Sequence, residues 1–128
     1  MKVLICGSRG WTDYRRICKV IEALNLTEIS IDRGDILEEH CIIVGGARGA
    51  DTIAQQVAEN LGISVKVVKA EWDKYGKSAG PIRNQKMLEM EPDLVIAFMR
   101  GKTKGTMDMI KRAREAGIPR VCIFDNTS

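Results

Sequence analysis

The sequence is short of the residues that usually announce a specialised chemistry. Six of its 128 residues are aromatic: two Trp, two Tyr and two Phe. It has one histidine, His40, and four cysteines, Cys6, Cys18, Cys41 and Cys122, with no C-x-x-C spacing. A zinc centre needs paired spacings and usually more histidine, so no metal site is expected. His40 sits just ahead of an apolar run, at its amino end, which argues against a Ser-His-Asp or Cys-His apparatus. No apolar run nears the ~20 residues of a membrane helix, and Met1 to Gly10 meets glycine and charge before a secretory apolar region could form. Three of the cysteines lie in apolar runs and are expected to be buried as small hydrophobes, which suits the reducing cytoplasm. Charge of one sign is also scarce. Twenty Lys+Arg against 17 Asp+Glu leave a net +3, far from a binder driven by bulk basicity.

What remains is an ordinary globular composition, 45% hydrophobic and 29% charged, at a length that predicts one domain over residues 1–128. Short apolar runs alternate with helical patterns. Lys2–Cys6 reads as a buried strand, and Cys41–Val44, Val65–Val68, Asp93–Phe98 and Arg120–Phe124 read as the second to fifth strands. Thr12 or Asp13 can cap a helix with its stripe at Ile17, Val20, Ile21 and Leu24. A second helix carries Ile53, Ala54, Val57, Ala58 and Leu61 and stops at Gly62. Glu71 to Gly80 reads as a loop holding Trp72 and Tyr75. Pro81 then suits the first position of a helix that ends before Pro92. Thr106, Met109, Ile110 and Ala113 mark the last helix, closed by Gly117 and Pro119. Residues 26–40, with Arg33-Gly34-Asp35 at their centre, read as a variable connection, and residues 125–128 as a loose tail. Strands separated by helices predict an α/β, Rossmann-like three-layer sandwich: five parallel strands in the order 3-2-1-4-5, helices on both faces.

In such a sheet ligands bind beyond the carboxyl ends of the strands. Three of the segments found there are rich in glycine: Gly7-Ser8-Arg9-Gly10-Trp11, Gly45-Gly46-Ala47-Arg48-Gly49-Ala50-Asp51, and Met99-Arg100-Gly101-Lys102-Thr103-Lys104-Gly105-Thr106. They hold seven of the twelve glycines, and each carries an arginine. Glycine brings backbone N–H groups close to a ligand, helix N-termini favour anions, and guanidinium forks fit phosphate. An anion-binding cleft is the expectation. It is not a dinucleotide fingerprint, because Arg9 and Ala47 stand where G-x-G-x-x-G needs glycine and Gly45-Gly46 replaces the usual acid. Nor is it a P-loop, since Ile96 occupies the first glycine position of a motif ending Gly101-Lys102-Thr103. Core packing accounts for Phe98 and Phe124. Trp72 and Tyr75, set among charged and glycine neighbours, suit either a base-stacking surface or a lid packed on its own aromatics.

The strings Gly7-Ser8-Arg9, Gly45 to Asp51, Trp72 to Asn84 (W-D-K-Y-G-K-S-A-G-P-I-R-N) and Gly105-Thr106-Met107-Asp108-Met109 together resemble the YspA and cpYpsA-related group of the SLOG superfamily. That resemblance implies a Rossmann-like fold binding nucleotides or nucleotide-derived ligands. It also implies kinship with the LOG phosphoribohydrolases, which cleave an N-glycosidic bond of nucleoside monophosphates, and with DNA-processing protein A, which binds single-stranded DNA. By the same resemblance Arg83 matches the LOG catalytic arginine. Met109 stands at the LOG glutamate position, with an acid one residue earlier at Asp108, about 100° around the helix. A homodimer is implied by likeness to LOG proteins.

Three readings stay open. In the first, a binding or sensing domain takes a phosphorylated nucleoside or an ADP-ribose-like molecule. Gly7, Ser8, Arg9, Gly45, Gly46, Arg48, Gly49, Gly101, Gly105 and Thr106 hold phosphate, Asp51 accepts ribose hydroxyls, Trp72 or Tyr75 stacks the base, and Arg83 and Asn84 complete the site. In the second, a hydrolase of nucleoside monophosphates uses Arg83 with Asp108 or Asp51 as acid/base. The third is single-strand nucleic-acid binding, disfavoured by the small charge excess. None of them calls for a cofactor.

Overall fold

The computed structural model describes residues 1–26, 40–101 and 103–125. Apart from Leu26, His40 and Asp125, the expected connection and tail lie outside the described residues.

The strands are β1 (Lys2–Gly7), β2 (Cys41–Val44), β3 (Ser64–Val67), β4 (Leu94–Met99) and β5 (Arg120–Phe124). The helices are α1 (Tyr14–Leu24), α2 (Ala50–Asn60), the single turn α3 (Trp72–Tyr75), α4 (Ala79–Glu89) and α5 (Lys104–Glu115). The strands form one parallel sheet in the order β3-β2-β1-β4-β5, as the sequence predicts. Successive side chains of a strand point to opposite faces. Val3, Ile5, Ile42, Val44, Ile96 and Phe98 therefore meet Ile17 and Ile21 of α1 and Ala54 and Val57 of α2 on one face. Leu4, Cys6, Ile43, Val95 and Ala97 meet Met87 and Leu88 of α4 and Met109 and Ala113 of α5 on the other. Covering both faces is what makes β1, β2 and β4 apolar runs.

Helix ends follow local chemistry. The Asp13 carboxylate caps α1 by accepting from the Arg16 N–H. α4 begins at Ala79, two residues earlier than expected, so Pro81 sits inside the first turn, where its missing N–H costs no helical hydrogen bond. The presumed loop from Glu71 is also partly helical, because the Glu71 carbonyl accepts from the N–H groups of Lys74 and Tyr75. Strands β3 and β4 are offset by one residue from the apolar runs, and β1 extends to Gly7, which pairs with Phe98.

One expectation fails. Cys122 and Phe124 are exposed, Phe124 to 54%. Strand β5 closes the sheet with one flank unpaired, so an apolar run that reads like a core strand lacks the neighbours to bury it. Among the described residues no helix is long and apolar enough to cross a membrane.

The core depends on Phe98, fully buried and in edge-to-face contact with Trp11, ring centroids 5.3 Å apart. Phe98→Ala should cost about 3–5 kcal/mol, read as a lowered urea midpoint with an unchanged slope.

Candidate functional site

Strands β1 and β4 lie side by side, and the chain leaves them in opposite directions, β1 toward β2 and β4 toward β5. That reversal opens a crevice at their carboxyl ends. Ser8 knots its walls together. Its N–H donates to the Phe98 carbonyl, and its carbonyl accepts from the N–H groups of Trp11 and Ala50. Its Oγ accepts from the Arg100 N–H at 2.8 Å, while the Arg100 guanidinium reaches the Gly10 carbonyl. The loops after β1 and β4 and the start of α2 are thus joined through one 1%-exposed serine. The close approach explains Gly49: its φ is +78°, and a Cβ there would collide with the carbonyls of Ser8 and Arg9.

The loop after β2 is shaped by Asp51, near the start of α2. Asp51 Oδ2 accepts from the N–H groups of Gly45 (3.1 Å) and Ala47 (3.3 Å). From the other face Arg83 of α4 donates through Nη1 to the Gly45 carbonyl at 2.6 Å. Gly45 is what makes room: a Cβ there would overlap the Arg83 guanidinium and press on Asp51. Arg83 is steadied by Nε donating to Asn84 Oδ1. Buried Asn84 in turn donates through Nδ2 to the Gly105 carbonyl (3.1 Å) and to Asp108 Oδ2 (2.9 Å), which also takes a 2.8 Å bond from Arg112. Hydrogen bonds therefore run from the end of β2 through α4 into α5.

Around this framework lie two adjoining cavities. The main one, about 660 Å³, is of small-ligand size. Among the described residues five cations line it (Arg9, Lys77, Arg83, Arg100 and Lys104) against two carboxylates, Asp51 and Asp108. The second, about 260 Å³, lies toward β3. Among the described residues no group of three His, Cys, Asp or Glu gathers as a metal site.

Asp51 is the electrostatic centre. Burial raises its pKa from 3.8 to about 6, against the opposing pull of the Ala47 N–H, Arg83, the Gly45 N–H and Arg9. Its Oδ1 takes no hydrogen bond from the described residues. No fully buried side-chain polar atom there goes unpartnered, so this oxygen opens to the cavity. Cys6 lies at the cavity floor, but burial, then the Asp51 charge, push its thiol far above the usual range, which removes it as a nucleophile.

Of the residues singled out from sequence, Gly7, Ser8, Arg9, Asp51, Trp72, Arg83, Asn84, Gly105, Thr106 and Asp108 line the main cavity. Gly45 and Gly46 line the second, together with Arg9, Trp72 and Arg83. Arg48, Gly49, Tyr75 and Gly101 line neither. Trp72 is half exposed and lies against Gly80, leaving ring surface open at the rim, whereas Tyr75 carries Lys74 over its ring. Met109 is fully buried, and Asp108 beside it faces the cavity. Lys69, Lys77 and Lys104 also line the cavities, outside the residues singled out from sequence. Lys69 had a signal, since it follows β3 at the edge where ligands gather.

A sequence profile of the YspA, cpYpsA-related SLOG family matches residues 1–75. The chain belongs to this family. The matched part of the SLOG chain holds the first two glycine-rich loops, Asp51 and Trp72, while Arg83, Asn84 and Asp108 lie beyond it. The Gene 61 protein of Mycobacterium phage D29 is 32% identical over 130 residues, covering 97% of each chain. The solved structure of DNA processing protein A from Streptococcus pneumoniae shares the fold, with a TM-score of 0.71 at 22% identity over 94% of this chain. The SLOG chain spans about half of that protein, 49%.

Between about pH 4 and 6 the folded protein keeps the Asp51 proton that the unfolded chain has released, so stability falls as pH rises through that window. The Asp51→Asn variant should gain on the wild type by about 2 kcal/mol from pH 4 to pH 6 in paired urea melts. Parallel stability profiles would show that Asp51 titrates normally.

Proposed function

We propose that the main cavity binds a nucleotide or nucleotide-derived ligand through its phosphate. The observation that carries this reading is the convergence of five cations on a cleft holding two carboxylates, at the reversal point of a parallel sheet. Arg9 offers a guanidinium fork to phosphate oxygens, Arg83 the donors that Gly45 and Asn84 leave unused, and Thr106 a hydroxyl near the start of α5. The open Oδ1 of Asp51 suits a ribose hydroxyl, and the free ring surface of Trp72 suits a base. The ligand is a small intracellular molecule, met in a reducing cytoplasm where the four cysteines stay thiols.

A hydrolytic reading has one observation in its favour. Asp51, with a proton affinity near neutrality, shares the cleft with Arg83. A carboxyl so tuned can exchange a proton with water or a leaving base, and an arginine can stabilise the phosphate-bearing fragment as an N-glycosidic bond breaks.

Calorimetric titration with AMP should show saturable binding, weakened about 10- to 100-fold in Arg9→Ala, whose side chain makes no hydrogen bond among the described residues. Absence of binding by AMP and its relatives would refute the nucleotide reading. Binding only to a single-stranded oligonucleotide, with a steep salt dependence, would replace it. For the hydrolytic reading, incubation with nucleoside monophosphates should release free base, lost in Arg83→Ala and in Asp51→Asn. No release above those variants leaves a binding protein.

A further inference from the structure

We infer that the second cavity is a subsite for a second phosphate, so that the ligand is a small nucleotide carrying two phosphate groups. This rests on the nucleotide reading above and goes beyond it by naming the ligand class. At about 260 Å³ the cavity falls below the ~300 Å³ at which stand-alone small-molecule sites begin, so it fits a fragment rather than a whole ligand. It shares Arg9, Trp72 and Arg83 with the main cavity, so groups in the two lobes are close neighbours bridged by the same two guanidinium groups.

Its charge differs from that of the main lobe. Arg9, Lys69 and Arg83 line it and, among the described residues, no carboxylate does. Neither Arg9 nor Lys69 has an ion-pair partner within 4 Å among the described residues. Asp51, behind Gly45, draws on Arg9 and Arg83 together, so three cations face one carboxylate and the excess positive charge is relieved by an anion. The lysine stem is also placed, lying against Gly46 where a Cβ would press on its Cγ. A larger residue at 46 would move the ammonium.

The occupant is a small molecule rather than a polynucleotide. Proteins that track single strands stack successive bases on several aromatics, and here Trp72 is the one aromatic that reaches either cavity among the described residues.

The test is calorimetric titration of wild type, Lys69→Ala and Lys69→Arg with AMP, with ADP-ribose (two phosphates joined as pyrophosphate) and with the 5′-phosphorylated dinucleotide pApA (two phosphates separated by a sugar). Lys69 is exposed, so these variants should fold. At least one two-phosphate ligand should bind about tenfold or more tighter than AMP. Lys69→Ala should abolish that advantage, Lys69→Arg should keep most of it, and AMP should bind all three proteins within about twofold. Whichever of the two ligands gains tells how the phosphates are joined. Equal affinity for all three ligands, or an equal loss for AMP in Lys69→Ala, overturns the subsite while leaving the nucleotide reading standing. Tighter binding of a twenty-nucleotide strand than of either small ligand overturns the small-molecule assignment. Failure of all ligands overturns the nucleotide reading itself.

Discussion

Burying a carboxylate is costly unless donors replace the water it loses, and Asp51, 5% exposed, shows how the replacement organises the fold around it. Two backbone N–H groups satisfy one oxygen, and supplying them forces the chain after β2 to curl over the start of α2. The same curl turns the Gly45 carbonyl to Arg83, so a helix from the opposite face of the sheet is tied to the loop that the carboxylate shapes. The remaining oxygen faces the cavity. Asp51 thus sets both the loop geometry and the chemical character of the cleft.

The wall is completed by contacts that need no ligand. Ser8 fastens the loop after β4 to the loop after β1, and Asn84 fastens α4 to α5. Arginine is used in two ways. Arg83 and Arg100 have part of their donor capacity taken by carbonyls, which fixes their position, whereas the Arg9 side chain donates to none of the described residues. A cleft built from fixed and free cations together combines placement with capacity to bind.

Most of the fold is legible in the sequence because a parallel sheet covered on both faces writes its strands as bare apolar runs. The same signal cannot say how many neighbours a strand has, which is why Arg120–Phe124 reads as core and stands at the edge with Phe124 exposed. Glycine clustering located the cleft but not the use of each glycine. Gly49 serves chain-to-chain approach and Gly45 accommodates a guanidinium, and composition cannot distinguish these from contact with a ligand. Arg48, in the middle of the most suggestive string, lines neither cavity. Lys69, with no motif around it, does line one. Isolated cations carry no spacing signature. Only the topology reveals that they converge.

The serine knot has a thermodynamic consequence. Because Ser8 bonds to β4, α2 and the β4 loop at once, the cleft cannot loosen at one of these points without disturbing the others. Integrity of the cleft is thereby coupled to the sheet beneath it, and a substitution deep in the sheet that shifts Ser8 would loosen all three attachments together.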